Sequence, residues 1–177
     1  MTYPVKLITG VLYPDEYWRL WVIEKVSEMW GEPECISEPH LFDITNYYHD
    51  IAPTLYRQFI SFKGLRDGGD LVRWKKESCH IEEGSYRVEN GVNVRSVNID
   101  PGYINGARLV LASTKDHAHR IYISDGIFAE VTMRYRFKKW VSFDYTFPDF
   151  ASGRYDTFLS AVKNSWGKEM AERRQNS

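Results

Sequence analysis

The chain has 177 residues, 43% of them hydrophobic and 27% charged, and carries a formal net charge of −1. This length is typical of a single domain over residues 1–177, which can bury about 70% of the surface that the unfolded chain exposes. The near-neutral charge argues against a protein that coats nucleic acid electrostatically, but it leaves room for local basic patches. Since no window approaches about 20 apolar residues, a membrane-spanning helix is excluded as well.

The N-terminus and the cysteines both predict a cytoplasmic protein. Asp15, Glu16 and Arg19 closely follow the first apolar segment, which does not fit the pattern of a secretory signal. Cys35 and Cys79 lie far apart and form no C-x-x-C pair, so two reduced thiols are expected rather than a metal or redox motif. No motif identifies a cofactor, and none fixes an oligomeric state.

The first half of the chain predicts elements in the order β-α-β-β-α-β. The first helix is the clearest, because Trp18, Val22 and Val26 recur at helical spacing between an acidic start at Asp15 and a stop at Gly31. This order is typical of the ferredoxin-like fold, an antiparallel sheet with two helices on one face. The predicted strands are 5–12, 35–44, 55–62 and 94–100, and the predicted helices are 15–30 and 70–83.

The second half of the chain adds further strands and one helix. A β-hairpin is predicted over 120–136, a strand near 140–145 and a C-terminal helix over 153–172. The fold class is therefore α+β. We expect a ferredoxin-like β-α-β-β-α-β core with a C-terminal β-hairpin, an extra strand and a helix.

The turn of the predicted hairpin decides which side chains face each other. A two-residue turn at Asp125-Gly126 would place a charged residue on the apolar face of the hairpin. A three-residue turn with a left-handed glycine avoids this, and we prefer it because it also forms an opposite-charge cross-strand pair. The pairs expected in this register are Ile121 with Ala129, Ile123 with Ile127, and Arg120 with Glu130.

The segment Asn98–Arg120 carries the densest polar chemistry of the chain. It gathers acids, histidines, arginines, a lysine, asparagines and hydroxyls around one short apolar run, and a core needs none of these groups. Asn98 and Asp100 alternate with apolar residues, so both side chains leave one face of a strand end. Pro101-Gly102 then fits a type II turn. The alternative to a binding site is a turn in which Asp100 caps its own backbone.

The same segment resembles the signature of a small bacterial and archaeal family, number forty-four sixteen among the domains of unknown function. Its most specific part is the hexapeptide Asn-Ile-Asp-Pro-Gly-Tyr at 98–103, and the similarity covers nearly the whole chain. One departure is Ile51-Ala52-Pro53, where the family pattern has a Met-Gly pair, so the loop after Tyr48 is expected to differ. The family has no established activity, and the resemblance therefore assigns no residue a role. The other matching segments are 42–48, 109–116, 119–122, 126–131 and 146–150.

A GTP-binding label carried by some members of that family finds no support in these residues. The chain contains no G-x-x-x-x-G-K-[ST] phosphate cradle, and Thr114-Lys115-Asp116 lacks the intervening residue of the guanine-reading Asn-Lys-x-Asp motif. Ser113, Thr114 and Lys115 are still able to hold an anion in another loop geometry. The alternative is a solvated loop whose hydroxyls cap a turn.

His117 and His119 indicate either metal binding or acid–base chemistry. On a strand both imidazoles would leave one face, with Asp100 or Asp116 as a third ligand, but His-x-His alone does not define a metal site and none is assigned. His119 is either a hydrogen-bonded structural histidine or a general acid or base. The candidate catalytic residues are therefore Lys115, Asp116 and His119.

The segment Arg134–Trp140 interleaves basic and aromatic residues and is the candidate site for RNA. Such segments hold phosphates and stack bases, and open ferredoxin-like sheets bind single-stranded RNA. The aromatic consensus of that RNA-binding class is absent, however. A hairpin tip with a solvated basic edge, which also protects against edge-to-edge aggregation, is the more usual form of such a run.

A second polar-aromatic cluster follows the second predicted strand and contains Asp43, Thr45, Tyr47, Tyr48 and His49. Tyrosine hydroxyls beside a carboxylate are suited to line a ligand pocket. A packed loop that buries the rings and hydrogen-bonds the hydroxyls fits the same residues, so the sequence leaves both interpretations open.

The leading functional hypothesis is a domain that binds a small anionic ligand, a nucleotide or a phosphorylated metabolite, with or without catalysis. Lys115 and Arg120 favour an anion. The alternatives are a single-stranded RNA-binding module and a non-enzymatic interaction or homo-oligomeric protein, whose interface would use the abundant aromatic residues (15%). The predicted ligand-binding residues are Asp43, Asn98, Asp100, Tyr103 and Arg120, beside the catalytic candidates.

Overall fold

The computed structural model describes residues 3–43, 48 and 51–176. It contains helices and antiparallel strands, which confirms the α+β class. The helices are α1 (Glu16–Trp30), α2 (Leu71–Glu83), α3 (Pro148–Ala151) and α4 (Asp156–Gln175). The strands are β1 (Pro4–Tyr13), β2 (Pro33–Ile36), β3 (His40–Leu41), β4 (Tyr56–Phe62), β5 (Arg66–Asp67), β6 (Tyr86–Glu89), β7 (Val92–Arg95), β8 (Asn98–Ile104), β9 (Arg108–Ser113), β10 (Ile121–Ser124), β11 (Ile127–Arg136) and β12 (Lys139–Ser142).

The main sheet has the strand order β10-β11-β9-β8-β1-β4-β2, with each neighbouring pair antiparallel. The short strands β3, β5 and β12 pair with β4, β1 and β11, respectively. Strands β6 and β7 form a separate hairpin between α2 and β8. No helix in the described residues is long and apolar enough to cross a membrane.

Helices cover both faces of the sheet, because the side chains of β1 alternate between two buried layers. Val5, Leu7 and Val11 pack with residues of α1 and α2, whereas Ile8 packs with residues of α3 and α4. A strand that is buried on both faces shows no alternation of buried and exposed residues, and every residue of β1 after Pro4 is accordingly buried.

The predicted first helix is confirmed, and its ends follow from local chemistry. The Asp15 carboxylate accepts a hydrogen bond from the Trp18 backbone N–H at 3.0 Å, which satisfies one of the free donors at the start of α1. Gly31 adopts a φ of +93°, a left-handed conformation that ends the helix at little cost for glycine. Val22, Val26 and Trp30 form its buried stripe.

Several predicted boundaries are wrong. The predicted strand 35–44 is interrupted between β2 and β3, and Ile44 lies outside the described residues. The predicted strand 94–100 begins inside the β6–β7 hairpin, so β8 starts only at Asn98. The C-terminal helix starts at Asp156, three residues after the predicted start. The reason is Gly153, whose φ of +77° separates α3 from α4.

Strand β9 is absent from the sequence prediction, although it lies inside the main sheet between β8 and β11. Leu109 packs with the layer under α4, and Val110 and Ala112 pack with the layer under α1 and α2. Burial on both faces again removes the polar alternation that identifies a strand, and six residues are too few for a helix to be distinguished from a strand.

The β10–β11 hairpin uses the two-residue turn rather than the predicted three-residue turn. Asp125 and Gly126 both have positive φ (53° and 75°), as a type I′ turn requires, and Ser124 rather than Ile123 faces Ile127. A bulge at Ile123 then restores the predicted pairing further along, where Ile121 faces Ala129.

The sheet divides where β8 and β9 separate. Their pairing runs only from Gly102–Leu111 to Ile104–Leu109, while β8 continues along β1 to Asn98 and β9 continues along β11 to Ala112 and Ser113. We call the gap between these two strand ends the fork. The predicted type II turn at Pro101-Gly102 is therefore wrong, since both residues lie within β8.

Gly102 lies at the point where the fork closes. A Cβ atom added there would lie 2.1 Å from the Val110 carbonyl oxygen and 2.7 Å from Leu111 Cδ2. Only glycine allows the two backbones to approach so closely. Pro101, which has no backbone N–H to donate, is the first residue of β8 beyond the ladder to β9.

We expect Gly102→Ala to lower the free energy of unfolding by about 3 kcal/mol or more, because the added methyl group meets backbone rather than a mobile side chain. Urea denaturation followed by circular dichroism measures this. The control is Gly167→Ala at an exposed position of α4, where the added Cβ has no atom within 4 Å apart from the helix's own neighbouring backbone, and here a gain of about 0.5–1 kcal/mol is expected. Equal stabilities for the two variants would contradict the close approach at Gly102.

Candidate functional site

A cavity of about 260 Å³ opens in the fork between β8 and β9. Because the strands separate there, side chains from both sides of the sheet reach the same space. Lys75, Cys79 and Glu82 come from α2, and Phe147 and Phe150 come from the segment around α3. The other lining residues in the described chain are Tyr48, Arg57, Arg95, Asn98, Asp100, Leu111, Ala112, Ser113, Thr114, Lys115, His117, Arg120, Glu130 and Thr132.

An ion pair between Lys75 and Asp100 forms the β8 side of the cavity. Lys75 Nζ donates to the Ile99 carbonyl at 2.9 Å and to Asp100 Oδ1 at 3.1 Å, and Asn98 Nδ2 donates to Asp100 Oδ2 at 2.7 Å. Burial alone would raise the pKa of Asp100, but the charges of Lys75 and Arg57 outweigh it and hold that pKa below its usual range. Asp100 is therefore an ionised hydrogen-bond acceptor at neutral pH.

Lys75 stays charged although it is buried. Burial alone would lower the pKa of its ammonium group, but the carboxylates of Asp100 and Glu82 outweigh this effect and raise the pKa. A lysine in this state is a hydrogen-bond donor and not a nucleophile. Burial also raises the pKa of the Cys79 thiol beside it, so neither group is prepared to attack a substrate.

Glu82 connects α2 to the start of β8. Its Oε1 accepts from the Ile99 N–H at 2.6 Å and its Oε2 accepts from Arg95 Nη1 at 3.0 Å, so both oxygens have partners. Burial raises the pKa of Glu82 in spite of the nearby cations. This residue holds the strand and Arg95 in place.

Arg57 enters the cavity wall from β4 and is anchored by Asp149, which is 1% exposed. Arg57 Nη1 donates to Asp149 Oδ2 at 2.5 Å, and the Tyr155 hydroxyl donates to the same oxygen at 3.0 Å. Asp149 raises the pKa of Arg57 although burial opposes this. A guanidinium has five N–H donors, so Arg57 can offer further donors to the cavity that it lines.

The β9 side is organised by the buried carboxylate of Glu130. Its Oε2 lies 2.8 Å from His119 Nε2 and accepts from Arg120 Nε at 3.0 Å. Arg120 Nη1 in turn donates to Ser113 Oγ at 2.9 Å and to the Lys115 carbonyl at 3.1 Å. Through these bonds, the loop after β9 is attached to strand β11. They also confirm the predicted proximity of Arg120 and Glu130.

The structure brings together four of the eight predicted site residues: Asn98, Asp100, Lys115 and Arg120 line the cavity. His119 lies behind the wall, hydrogen-bonded to Glu130 and stacked on the Tyr145 ring at 4.3 Å between centroids.

The other predicted site residues lie away from the cavity wall. Asp43 and Asp116 are exposed outside it, and Tyr103 packs against the core under α1 and α2. Of the polar-aromatic cluster, Tyr48 lines the cavity, whereas Thr45, Tyr47 and His49 lie outside the described residues.

Sequence analysis did not identify Arg57, Lys75, Glu82, Arg95 and Glu130 as site residues. The sequence does contain a signal for two of these residues. Lys75 and Glu82 are seven residues apart, which places both on the buried side of α2. Charged residues are almost never fully buried unless they are paired, so two charges on a buried helix stripe indicate a polar site beneath it.

Metal binding gains no geometric support. In residues 3–43, 48 and 51–176, no group of three or more His, Cys, Asp or Glu side chains is arranged to hold a metal ion. The His117 and His119 rings stack on each other with centroids 5.6 Å apart.

The fold and the charged cavity define an α+β domain with a candidate ligand site. The chain belongs to the family "Domain of unknown function (DUF4416)", which matches residues 3–166. This confirms the family resemblance of the Asn98–Tyr103 hexapeptide and of the segments around it. No curated protein and no solved structure matches the chain.

We expect Asp100→Asn to change the pH dependence of stability. Because the folded-state pKa of Asp100 lies below its unfolded value of about 3.9, the carboxylate stabilises the fold above about pH 4, and this contribution is lost as the pH falls through the folded-state pKa. The difference in unfolding free energy between wild type and Asp100→Asn should therefore be largest near neutral pH and shrink in acid.

Urea titrations between about pH 3 and pH 7 measure this difference. Asp116→Asn is the control, because Asp116 is exposed in the loop after β9 and its substitution should change stability little at any pH. A pH-independent difference for Asp100→Asn would contradict the ionised Lys75–Asp100 pair.

Proposed function

We propose that the fork cavity binds a small anionic ligand and that the protein is a cytoplasmic ligand-binding domain. One observation carries this proposal: the described residues of the cavity wall include five Lys or Arg side chains, and these exceed by one the acids that line the wall or, as Asp149 does with Arg57, pair with a cation of the wall. An excess of positive charge inside low-dielectric walls concentrates an anion. The cations are Arg57, Lys75, Arg95, Lys115 and Arg120, and the acids are Glu82, Asp100 and Glu130 in the wall and Asp149 behind Arg57.

Hydrogen-bond donors at the β9 side support the same proposal. Ser113 Oγ accepts from Arg120 Nη1 at 2.9 Å and from the Lys115 backbone N–H at 3.2 Å, which leaves its own hydroxyl proton for a ligand oxygen. Lys115 and Arg120 add charge beside it. Charge-assisted hydrogen bonds of this kind are the strong ones in anion recognition.

The size of the cavity favours a phosphorylated metabolite over a whole nucleotide. Its volume of about 260 Å³ lies just below the range typical of pockets that enclose drug-sized ligands, roughly 300–1,000 Å³. A nucleotide would extend out of such a space. The absence of a phosphate-cradle motif from the sequence points in the same direction.

Catalysis, if the domain is an enzyme, would depend on Lys115. It is the one predicted catalytic residue among the described cavity-lining residues. Partial desolvation beside the cavity and the neighbouring Arg120 guanidinium lower the pKa of its amine, which makes the neutral, proton-accepting form more accessible than in a free lysine.

We also infer that the centre of the fold is ferredoxin-like. The strands β8, β1, β4 and β2 are neighbours in that order, and α1 and α2 pack against one face of them. This arrangement, an antiparallel four-strand order with two crossover helices, supports the topology that the β-α-β-β-α-β sequence order predicts.

For the proposed site, we expect Lys115→Ala to weaken the binding of inorganic phosphate at least tenfold, which is about 1.4 kcal/mol. Stability should stay within about 0.5 kcal/mol of wild type, because the side chain is exposed at the cavity mouth. Isothermal titration calorimetry at low ionic strength and urea denaturation measure the two quantities.

The matched control is Lys63→Ala, which removes an equally charged and exposed side chain that does not line the cavity. It should leave phosphate binding unchanged. A large loss of stability in Lys115→Ala with unchanged binding would refute the proposal. Native mass spectrometry of gently purified protein would then identify any ligand that stays bound.

RNA is a second candidate partner, because the β11–β12 hairpin presents an aromatic and basic tip. Phe137 is 76% exposed at the turn, and the Arg136 guanidinium lies 4.5 Å from its ring centroid. Stacking of bases on such a ring supports binding to single strands without sequence preference.

For this second candidate, we expect salt-dependent binding to single-stranded RNA that Arg136→Ala weakens, with the slope of log affinity against log salt reduced by about one. Fluorescence anisotropy with a labelled oligonucleotide measures both quantities, and Lys63→Ala again serves as the control. Binding that responds neither to salt nor to Arg136→Ala would exclude this tip as the RNA site.

A further inference from the structure

We infer that the ligand of the fork cavity is a phosphate monoester of a polyol: a neutral, hydroxyl-bearing carbon chain with one anionic group. This inference rests on the proposed function and assigns its ligand class. It follows from a difference between the two sides of the fork, because the β8 side and the β9 side accept opposite kinds of chemical group.

The β8 side requires a ligand group that donates a hydrogen bond. Asp100 lines the cavity with its side chain 27% exposed, and it accepts one bond from Lys75 and one from Asn98 among the described residues. An ionised carboxylate has about four lone-pair positions, so acceptor capacity is left over on the cavity side. An anionic oxygen placed here would face the lone pairs of this carboxylate, which accepts hydrogen bonds and donates none.

A ligand ammonium group could donate a hydrogen bond to Asp100, but the cations around Asp100 would repel it. Lys75 Nζ lies 3.1 Å from Asp100 Oδ1, and the Arg57 guanidinium interacts electrostatically with the same carboxylate. A third cation at Asp100 would be repelled by both. The negative charge of Asp100 is therefore already balanced by the protein itself, which leaves a neutral donor as the group that fits.

A hydroxyl group matches this side in both of its roles. It can donate to Asp100 and accept from Arg57, whose guanidinium uses Nη1 for Asp149 and has further N–H donors available. An ammonium cannot accept a hydrogen bond, and an ionised carboxylate or a fully ionised phosphate monoester cannot donate one. Polyol hydroxyls are therefore the groups that the β8 side selects.

The β9 side takes the anion. Ser113 retains its hydroxyl proton, and Lys115 and Arg120 provide positive charge next to it. The only acid of this side among the described lining residues, Glu130, is engaged by His119, Arg120 and Thr132. A ligand that spans the fork consequently places its phosphate beside β9 and its hydroxyls beside Asp100.

The test compares three phosphate monoesters with the same three-carbon chain on the wild-type protein by isothermal titration calorimetry at pH 7.5, with inorganic phosphate as the reference. They are glycerol 3-phosphate, propyl phosphate and 3-aminopropyl phosphate. We expect glycerol 3-phosphate to bind at least tenfold more tightly than propyl phosphate. The aminopropyl ester should bind no more tightly than propyl phosphate.

The possible results separate this inference from the proposed function. If inorganic phosphate and all three esters fail to bind, the proposed function fails and this inference with it. If the esters bind with equal affinity, or the aminopropyl ester binds most tightly, anion binding stands and the polyol assignment is overturned.

Variants on the two sides of the fork should separate the two recognition functions. Asp100→Asn should reduce the ratio of the affinities for glycerol 3-phosphate and propyl phosphate towards one. Ser113→Ala should weaken all three esters by the same factor. The ligand comparison on wild type needs no variant, so it still decides the question if Asp100→Asn does not fold.

Discussion

The close approach of two backbones at Gly102 is the constraint on which the candidate site depends. No side chain fits between β8 and β9 there, since an added Cβ would lie 2.1 Å from the Val110 carbonyl oxygen. Immediately beyond this contact the ladder ends, and each strand follows a different partner. A sheet that is closed at one end and forked at the other provides a cavity whose walls come from both faces, which a continuous sheet would keep apart.

The walls of this cavity are unusual for a core because they hold paired charges. Removing ions from water is expensive, and buried ion pairs often stabilise a fold no better than apolar side chains of the same volume. Among the residues that the structure describes, four such pairs surround one space, so stability alone does not account for them. The proposed function accounts for them, because the same groups that are costly in the core are strong hydrogen-bonding partners for a charged or polar ligand. The pairs are Lys75 with Asp100, Arg57 with Asp149, Arg95 with Glu82, and Arg120 with Glu130.

The hexapeptide Asn98–Tyr103 combines several of these requirements in one strand. Because successive side chains of a strand point to opposite faces, Asn98 and Asp100 line the cavity and Ile99 packs in the core under α1 and α2. Gly102 then permits the contact with β9 that closes the fork. A single strand thus provides polar side chains on one face, apolar packing on the other face and the close contact with β9 that fixes the strand. These combined requirements give a physical account of why this segment is the most distinctive part of the chain.

The sequence by itself determined the α+β class, the first helix with Asp15 as its N-terminal cap, and the polar side chains that alternation places on one face of β8. These are local properties, set by periodicity and capping within a few residues. Only the tertiary structure decided that β9 lies between β8 and β11, and that Arg57 and Lys75 join Asp100 around one cavity. The reason is that doubly buried strands carry no alternation, and that these charges come from elements distant in sequence and on opposite faces of the sheet. They meet only because the ladder between β8 and β9 ends at Gly102.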